Sequence, residues 1–388
     1  MTECTSSTRG CTDRVEAVLR SGEPTPFLVT DLDVVADRYR TLRSALGDAE
    51  VFYAVKANAH PDLLAALVTL GCSFDVASIG EVKACLDAGA GPGRLSFGNT
   101  VKRRSEVAAA HALGVVNFAV DDAAELAKVV AAAPGAAVTV RLRCDGDGAA
   151  WPLSRKFGGA AEAAVDLLVE ARRRGMGELG ISFHVGSQQS RPEAWDDALA
   201  VVASVADAAS DRGAAVGLVN LGGGLPSNYD AALPTIEGYA KVIRDGLDRH
   251  LARHDVRLMI EPGRHLVAEA GVIQTEVLLV SRSDDDDGPR WIYLDVGVYT
   301  GLVEAMGEAI RYPMRTPHDG GPLCPSVVAG PTCDSVDVLY EVTPYQLPLA
   351  LAEGDRVELF SAGAYTSACS TVGFNGFPPL REIVLPLS

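Results

Sequence analysis

From Val51 to Ile260 short apolar runs alternate with amphipathic segments, and few architectures satisfy that rhythm. The runs fall at residues 51–55, 73–77, 94–97, 116–120, 137–143, 180–184, 217–221 and 257–260. Between them, residues 62–70, 81–88, 104–113, 123–132, 161–174, 194–209 and 239–253 carry apolar side chains at helical spacing, many of them alanine. Strands alternating with helices imply a parallel sheet covered on both faces. Eight such units in about 210 residues fit a (β/α)8 TIM barrel better than a doubly wound open sheet, the structural competitor within the α/β class. No Gly-x-Gly-x-x-Gly follows the first strand, which weakens a dinucleotide-binding role.

Beyond Gly271 the texture changes. Residues 272–280, 291–294, 326–329, 336–340 and 356–361 are short β-rich runs separated by Gly, Pro and Asp, and the four acids at 284–287 suit a solvated turn. The expected layout is therefore an N-terminal tail (1–25), a lead-in strand and helix (26–48), the barrel (49–270) and a C-terminal β-sandwich or β-barrel domain (271–388). The lead-in strand is expected to join the β-domain, because a terminal strand is usually tied into some sheet.

The chain carries 34 Lys and Arg against 51 Asp and Glu, a formal charge of −17. That balance argues against nucleic-acid and anionic-membrane partners and would attract small cations. No apolar run is long enough to cross a bilayer, and the polar N-terminus has no apolar signal core. Eight cysteines, at 4, 11, 72, 85, 144, 324, 333 and 369, show neither CxxC nor Cys/His metal spacing. Reduced thiols in a cytoplasmic protein without a metal site are expected, with Cys333 the one to watch.

If the first domain is a barrel, chemistry belongs at the carboxyl ends of its strands. Lys56, Asp75, Asn99, Arg141, His184 and Glu261 stand there. Each has a plain structural explanation. Lys56 could be snorkelling where its strand emerges, Asp75 or Asn99 could cap a helix, and His184 could be a satisfied core histidine. The sharper alternative for Lys56 is an amine in a dry pocket, poised to form a Schiff base. Gly222-Gly223-Gly224 and Glu261-Pro262-Gly263-Arg264 follow the seventh and eighth strands, where barrels commonly bind phosphate. The glycines let backbone N–H groups approach a ligand, and Arg264 adds a forked charge. Glu261 could keep a pyridinium nitrogen protonated, and His184 could stack on a flat ring. Together these groups describe a pyridoxal 5′-phosphate (PLP) site.

At this point the chain resembles the PLP-dependent ornithine/lysine/diaminopimelate/arginine decarboxylase family, most closely its bacterial ornithine decarboxylases. The resemblance rests on Phe52-Tyr53-Ala54-Val55-Lys56-Ala57-Asn58, Phe74-Asp75-Val76-Ala77-Ser78, Trp151-Pro152-Leu153-Ser154-Arg155-Lys156-Phe157-Gly158 and Ser182-Phe183-His184-Val185-Gly186-Ser187-Gln188. It continues through both glycine-containing loops to Gly330-Pro331-Thr332-Cys333-Asp334-Ser335, Gly363-Ala364-Tyr365-Thr366 and Phe374-Asn375-Gly376-Phe377. It implies an alanine-racemase-like barrel, PLP fold type III, joined to a β-domain. It implies catalytic roles for Lys56 as the Schiff-base lysine, Glu261 on the pyridine nitrogen, His184 on the ring and Cys333 as proton donor. Ser187, Gly222, Gly223, Gly224, Gly263, Arg264 and Tyr365 would hold the phosphate end, with Asp75 and Arg141 in support. Asp334 would bind the substrate's distal ammonium, with Asp295, Tyr299, Glu304 and Phe374 nearby. Family members share sites across a homodimer, so Cys333 and Asp334 would act in a partner's site.

The implied reaction is decarboxylation of L-ornithine to putrescine and CO2. Val298-Tyr299-Thr300 departs from an expected Lys-Phe-Gly, which leaves lysine, 2,4-diaminobutyrate or a modified diamino acid open as substrates. A non-catalytic homologue and a racemase are the competing classes. The first is disfavoured by the joint presence of Lys56, Glu261 and Cys333. The second is disfavoured by the Cys333-Asp334 pair and residues 374–377.

Overall fold

The computed structural model describes residues 11–153, 155–229, 233–281 and 290–388. Ser154 and the acidic run at 284–287 lie outside the described residues. Two compact units divide the chain, one of residues 36–226 and 233–263, the other of residues 1–35, 227–232 and 264–388.

After a lead-in strand β1 (Phe27–Asp31), the first unit is built on β2 (Glu50–Ala54), β3 (Ser73–Val76), β4 (Leu95–Phe97), β5 (Asn117–Val120), β6 (Ala137–Arg141), β7 (Leu179–Ser182), β8 (Leu218–Asn220) and β9 (Arg257–Ile260). These eight close into a parallel barrel, with β9 pairing back onto β2 through Met259–Glu50 and Ile260–Val51. Seven helices follow β2 to β8, and several begin where the sequence supplies a cap. The Ser78 side chain accepts from Glu81 N–H and the Asp122 side chain from Ala124 N–H, satisfying donors that a first helical turn leaves open. A hydrogen-bonded row crosses three neighbouring strands. Asn117 Nδ2 donates to Ser96 Oγ at 3.0 Å, and Thr139 Oγ1 donates to Asn117 Oδ1 at 2.9 Å. Lys102, whose side chain is fully buried, donates to Asn99 O and Ala119 O and pairs with Glu125 at 3.0 Å. A buried ammonium is tolerated there because every direction it faces is answered.

The second unit holds β1 with β10 (Gly271–Ser281), β11 (Arg290–Leu294), β12 (Met314–Arg315), β13 (Leu323–Ala329), β14 (Val338–Pro348), β15 (Arg356–Leu359) and β16 (Arg381–Leu385). The sheet runs β12-β15-β10-β11-β13-β14, and β1 joins it antiparallel to β10 and parallel to β16. Pairing is antiparallel except at β11–β13 and β1–β16. One core packs Leu28, Ile273, Ile292, Tyr312, Val328, Tyr340 and Leu359.

Two expectations need correction. The N-terminal stretch expected as a tail contains a helix, Asp13–Leu19, capped by Thr12. Its two buried residues Val15 and Leu19, one turn apart, pack against Phe27, Val29, Val272 and Phe360. The expected boundary at 270/271 falls instead between Gly263 and Arg264. The side chains of Arg264 and Glu269 bond to Tyr229, Ser227, Asn228 and Glu304, all of the second unit.

The seven described cysteines are free. Among the described residues no helix is long and apolar enough to cross a membrane, and no cluster could hold a metal ion.

Candidate active site

Strand β2 ends at Ala54, two residues before Lys56, because the chain turns. Ala54 N–H bonds to Pro262 O at 3.0 Å, which stitches the Glu261–Gly263 turn to β2, and residues Val55–Ala57 form a single 3-10 turn. Asn58 closes that turn onto Val55 O, and Tyr53 Oη donates to Asn58 O at 2.8 Å. Lys56 therefore projects from a braced turn rather than a strand. It is exposed, so a dry pocket is not a property of the lysine by itself.

The glycine triplet is required by its neighbours. A Cβ on Gly222, at φ +66°, would stand 1.9 Å from Phe183 O, one on Gly224 2.5 Å from Gly186 O, and one on Gly223 2.8 Å from Glu261 O. Backbone thus packs on backbone where β7, β8 and β9 end, and any side chain would force these loops apart. A Gly223 Cβ would also stand 2.9 Å from His184 Nε2. Gly186 N–H donates to His184 Nδ1 at 3.0 Å, which fixes the ring and leaves Nε2 as its N–H in the neutral form. Burial, with Arg141 and Lys56 adding positive charge, holds the His184 imidazole well below the usual histidine range. Glu261 follows β9, and its carboxylate accepts from Asn220 Nδ2 at 2.6 Å. Ser187 lies in a two-stranded pairing of Ala149–Trp151 with Ser187–Gln189, opposite Trp151.

Asp75 sits on β3, buried, and Oδ1 has no hydrogen bond. A Cβ on Gly98 would stand 2.1 Å from that oxygen, so a glycine is needed for Asp75 to fit. Burial and the Glu261 charge push the Asp75 carboxyl well up, against the pull of Lys56 and Arg141. Arg141 ends β6 with its guanidinium 5.0 Å from the Phe157 ring centroid. Lys56, Asp75, Arg141, His184 and Glu261 thus form one electrostatically coupled group. Sequence reasoning missed two supporting residues, Asn220 behind Glu261 and Glu81. Glu81 accepts from Ala77 N–H and helps raise the Asp75 carboxyl. Its signal was the spacing Ser78-x-x-Glu81, a capping box. A separate cavity of about 330 Å³ is lined by Cys144, Asp145, Phe183 and Ala198, among others, but by none of these five residues.

The remaining candidates belong to the second unit. Arg264 is buried, and Glu304 grips one edge of its guanidinium at 2.6 and 2.7 Å. Nη1 also donates to Tyr229 Oη at 3.0 Å, and the group lies 4.9 Å from the Tyr365 ring centroid. Tyr365 adopts the left-handed backbone conformation, φ +57°. Cys333 is exposed, and its N–H and Sγ both point to Asn375 Oδ1, at 3.0 and 3.4 Å. Tyr299 and Phe374 stack with centroids 4.2 Å apart. Burial and a hydrogen bond to Asp334 push the Tyr299 phenol up. Cys333, Asp334, Tyr299 and Phe374 therefore share one surface, braced by Asp337, which accepts from Val298 N–H and from the Thr332 amide and hydroxyl.

Two expected substrate ligands are engaged elsewhere. Asp295 accepts from Thr275 Oγ1 and Glu276 N–H, holding β10 where its register shifts. Glu304 is taken by Arg264. Sequence spacing could not show either, because the partners stand 20 and 40 residues away.

Comparison with known proteins accords with this geometry. The family model described as pyridoxal-dependent decarboxylase, pyridoxal binding domain, matches residues 32–268. A lysine/ornithine decarboxylase of Selenomonas ruminantium is 36% identical over 91% of this chain and 88% of its own length. Antizyme inhibitor 2 of Xenopus laevis is 32% identical over 94% of this chain and 81% of its own. A crystal structure of SrLDC in complex with PLP and cadaverine superposes with a TM-score of 0.86 at 34% identity, covering 96% of this chain and 93% of that one.

Proposed function

Because the chain belongs to the pyridoxal-dependent decarboxylases, with PLP as cofactor, we propose that it removes the α-carboxylate of L-ornithine to give putrescine and CO2. Lysine is the nearest alternative substrate, supported by the relative named a lysine/ornithine decarboxylase and by the cadaverine in a structural neighbour. We place the reaction in the cytoplasm, in keeping with the free thiols.

The observation that carries this proposal is the placement of Lys56, Asp75, Arg141, His184 and Glu261 together at the carboxyl ends of the barrel strands β2, β3, β6, β7 and β9. These residues fit the cofactor. Asp75 offers a buried carboxylate oxygen without a hydrogen bond, and the Gly222–Gly224 backbone leaves His184 Nε2 unobstructed by any Cβ. When bound, PLP supplies an electron sink for the pair left behind as CO2 departs.

The chain's own residues do the rest. Lys56 would hold the cofactor covalently. Glu261, oriented by Asn220, keeps a proton on the ring nitrogen, which stabilises charge only as it develops. His184, fixed by Gly186 N–H, would pack on the ring without adding positive charge. Arg264, Ser187, Tyr365 and the glycine backbone would be the donors for the cofactor's phosphate. Cys333 Sγ, held by Asn375, delivers a proton to the substrate Cα, and Asp334 binds the distal ammonium. We place these last two in the site of a second copy of the chain, so the working unit is a homodimer.

Assaying CO2 release from ornithine, lysine, 2,4-diaminobutyrate and arginine tests the substrate. The expected outcome is the highest kcat/KM on ornithine. A clear preference for lysine moves the assignment one methylene, a difference worth only about 1–3 kcal/mol in an apolar pocket. Turnover of none of the four contradicts the proposal.

A further inference from the structure

We propose that Glu304 positions the phosphate-binding arginine and is not part of the substrate pocket, a proposal that rests on the assignment of Arg264 to the PLP phosphate. Both members of the pair are withdrawn from solvent, with side chains 3% and 12% exposed. Both carboxylate oxygens are spent on Arg264, one to each terminal nitrogen. A substrate ammonium could reach Glu304 only by displacing one arm of a bidentate, charge-assisted pair.

The carboxylate fixes the plane of a rigid fork with five N–H groups. Nη1 is held twice, by Glu304 and by Tyr229, so the fork can neither slide nor rotate. Burial pushes the Tyr229 phenol to about 12, so it remains an O–H at working pH. The direction of the other N–H groups follows from that clamp.

Each part of the clamp has its own anchor. Tyr229 follows Ser227 and Asn228, whose side chains donate to the buried Glu269 at 3.2 and 2.9 Å. Ser361 Oγ donates to Asn228 O at 2.8 Å, and Tyr229 meets Tyr312 edge-on at 5.8 Å. Glu304 lies in the turn Val303–Glu308, closed by Ile310 N–H on its own carbonyl at 3.0 Å. Three chain segments thus meet one guanidinium, those that carry Tyr229, Glu304 and Tyr365. Such investment suits a group that must present N–H donors in one direction.

Charge and orientation make opposite predictions for Glu304→Gln. Removing the negative charge makes the surroundings of Arg264 more positive, which on Coulombic grounds alone would tighten PLP binding. Loss of orientation would weaken it. The experiment strips cofactor from the holoenzyme and titrates PLP and, separately, pyridoxal, which lacks the phosphate. The expected result is a PLP dissociation constant raised about tenfold, the scale of one charge-assisted bond, with the pyridoxal constant unchanged. Tighter or unchanged PLP binding overturns the proposal. Equal weakening of PLP and pyridoxal also overturns it, by showing a general structural role. So does unchanged PLP binding with a raised KM for the diamino acid, which returns Glu304 to the substrate.

If Glu304→Gln fails to fold, Tyr229→Phe removes one bond at Nη1 and should give a smaller loss, about threefold, confined to PLP. Unchanged PLP binding in that variant overturns the clamp. Arg264→Lys separates this proposal from the one beneath it. If that variant keeps the full preference for PLP over pyridoxal, the phosphate assignment is wrong and the role of Glu304 falls with it.

Discussion

The barrel mouth and the Arg264 cluster both bury ionisable groups, yet their charges are balanced in opposite ways. At the mouth, Asp75 is pushed up by burial and Glu261 and keeps an oxygen without a hydrogen bond, while His184 is pushed well down by burial and its cationic neighbours. Around Arg264, the Glu304 carboxylate answers the guanidinium with an opposite charge and Tyr229 Oη accepts from Nη1, although Nε is buried without a hydrogen bond. A buried charge without a full complement is costly in a finished core, and groups so perturbed gather where chemistry is done. On the proposed assignment, the mouth receives a charged, planar ligand. The Arg264 cluster is arranged to hold one direction.

Cys333 is where the second unit departs from that division, because it alone there is assigned a proton in flight. Cys333→Ala should keep the cofactor's visible absorbance but slow amine formation about 100-fold, within the usual range for a lost general acid. Product analysis should show diverted products in place of part of the amine. A variant with the normal rate and normal amine yield would leave the second unit purely positional and refute the proton-donor role.

A smaller effect sharpens the contrast from the mouth. Folded Asp75 has a carboxyl raised above its unfolded value, so its contribution to stability is complete below the ordinary carboxylate range and is lost as pH rises. Asp75→Asn removes that penalty. Cofactor-free Asp75→Asn should melt about 2 °C or more above the parent at pH 7, as expected for roughly 1 kcal/mol. The difference should vanish near pH 4. A variant less stable than the parent at pH 7 would mean that the Asp75 charge is already compensated in the free protein.

Much of the barrel was legible because every βα unit carries its own period, and the observed strands lie within a residue or two of those expected. The deviations are informative. Lys56 and His184 fall just past their strands, where hydrogen bonds from Ala54 to Pro262 and from Phe183 to Asn220 turn the chain. The glycine triplet was visible, but only the fold shows that three carbonyls press on it. Helix Asp13–Leu19 and strand Arg381–Leu385 were missed because their burial depends on long-range partners, Val272 and Phe360 for the helix and β1 for the strand. For the same reason Glu304 and Asp295 were expected at the substrate. Residue type places an acid near a site, but only the fold says which donor occupies it.

The central claim is that Lys56, on its braced turn, carries the cofactor. Treating the holoenzyme with borohydride, digesting it and locating the label by mass spectrometry tests this most directly. A pyridoxyl group on the peptide containing Lys56, absent from Lys56→Ala along with the visible absorbance and the decarboxylase activity, is the predicted result. A label on another lysine, or a Lys56→Ala protein that retains the absorbance, would contradict it.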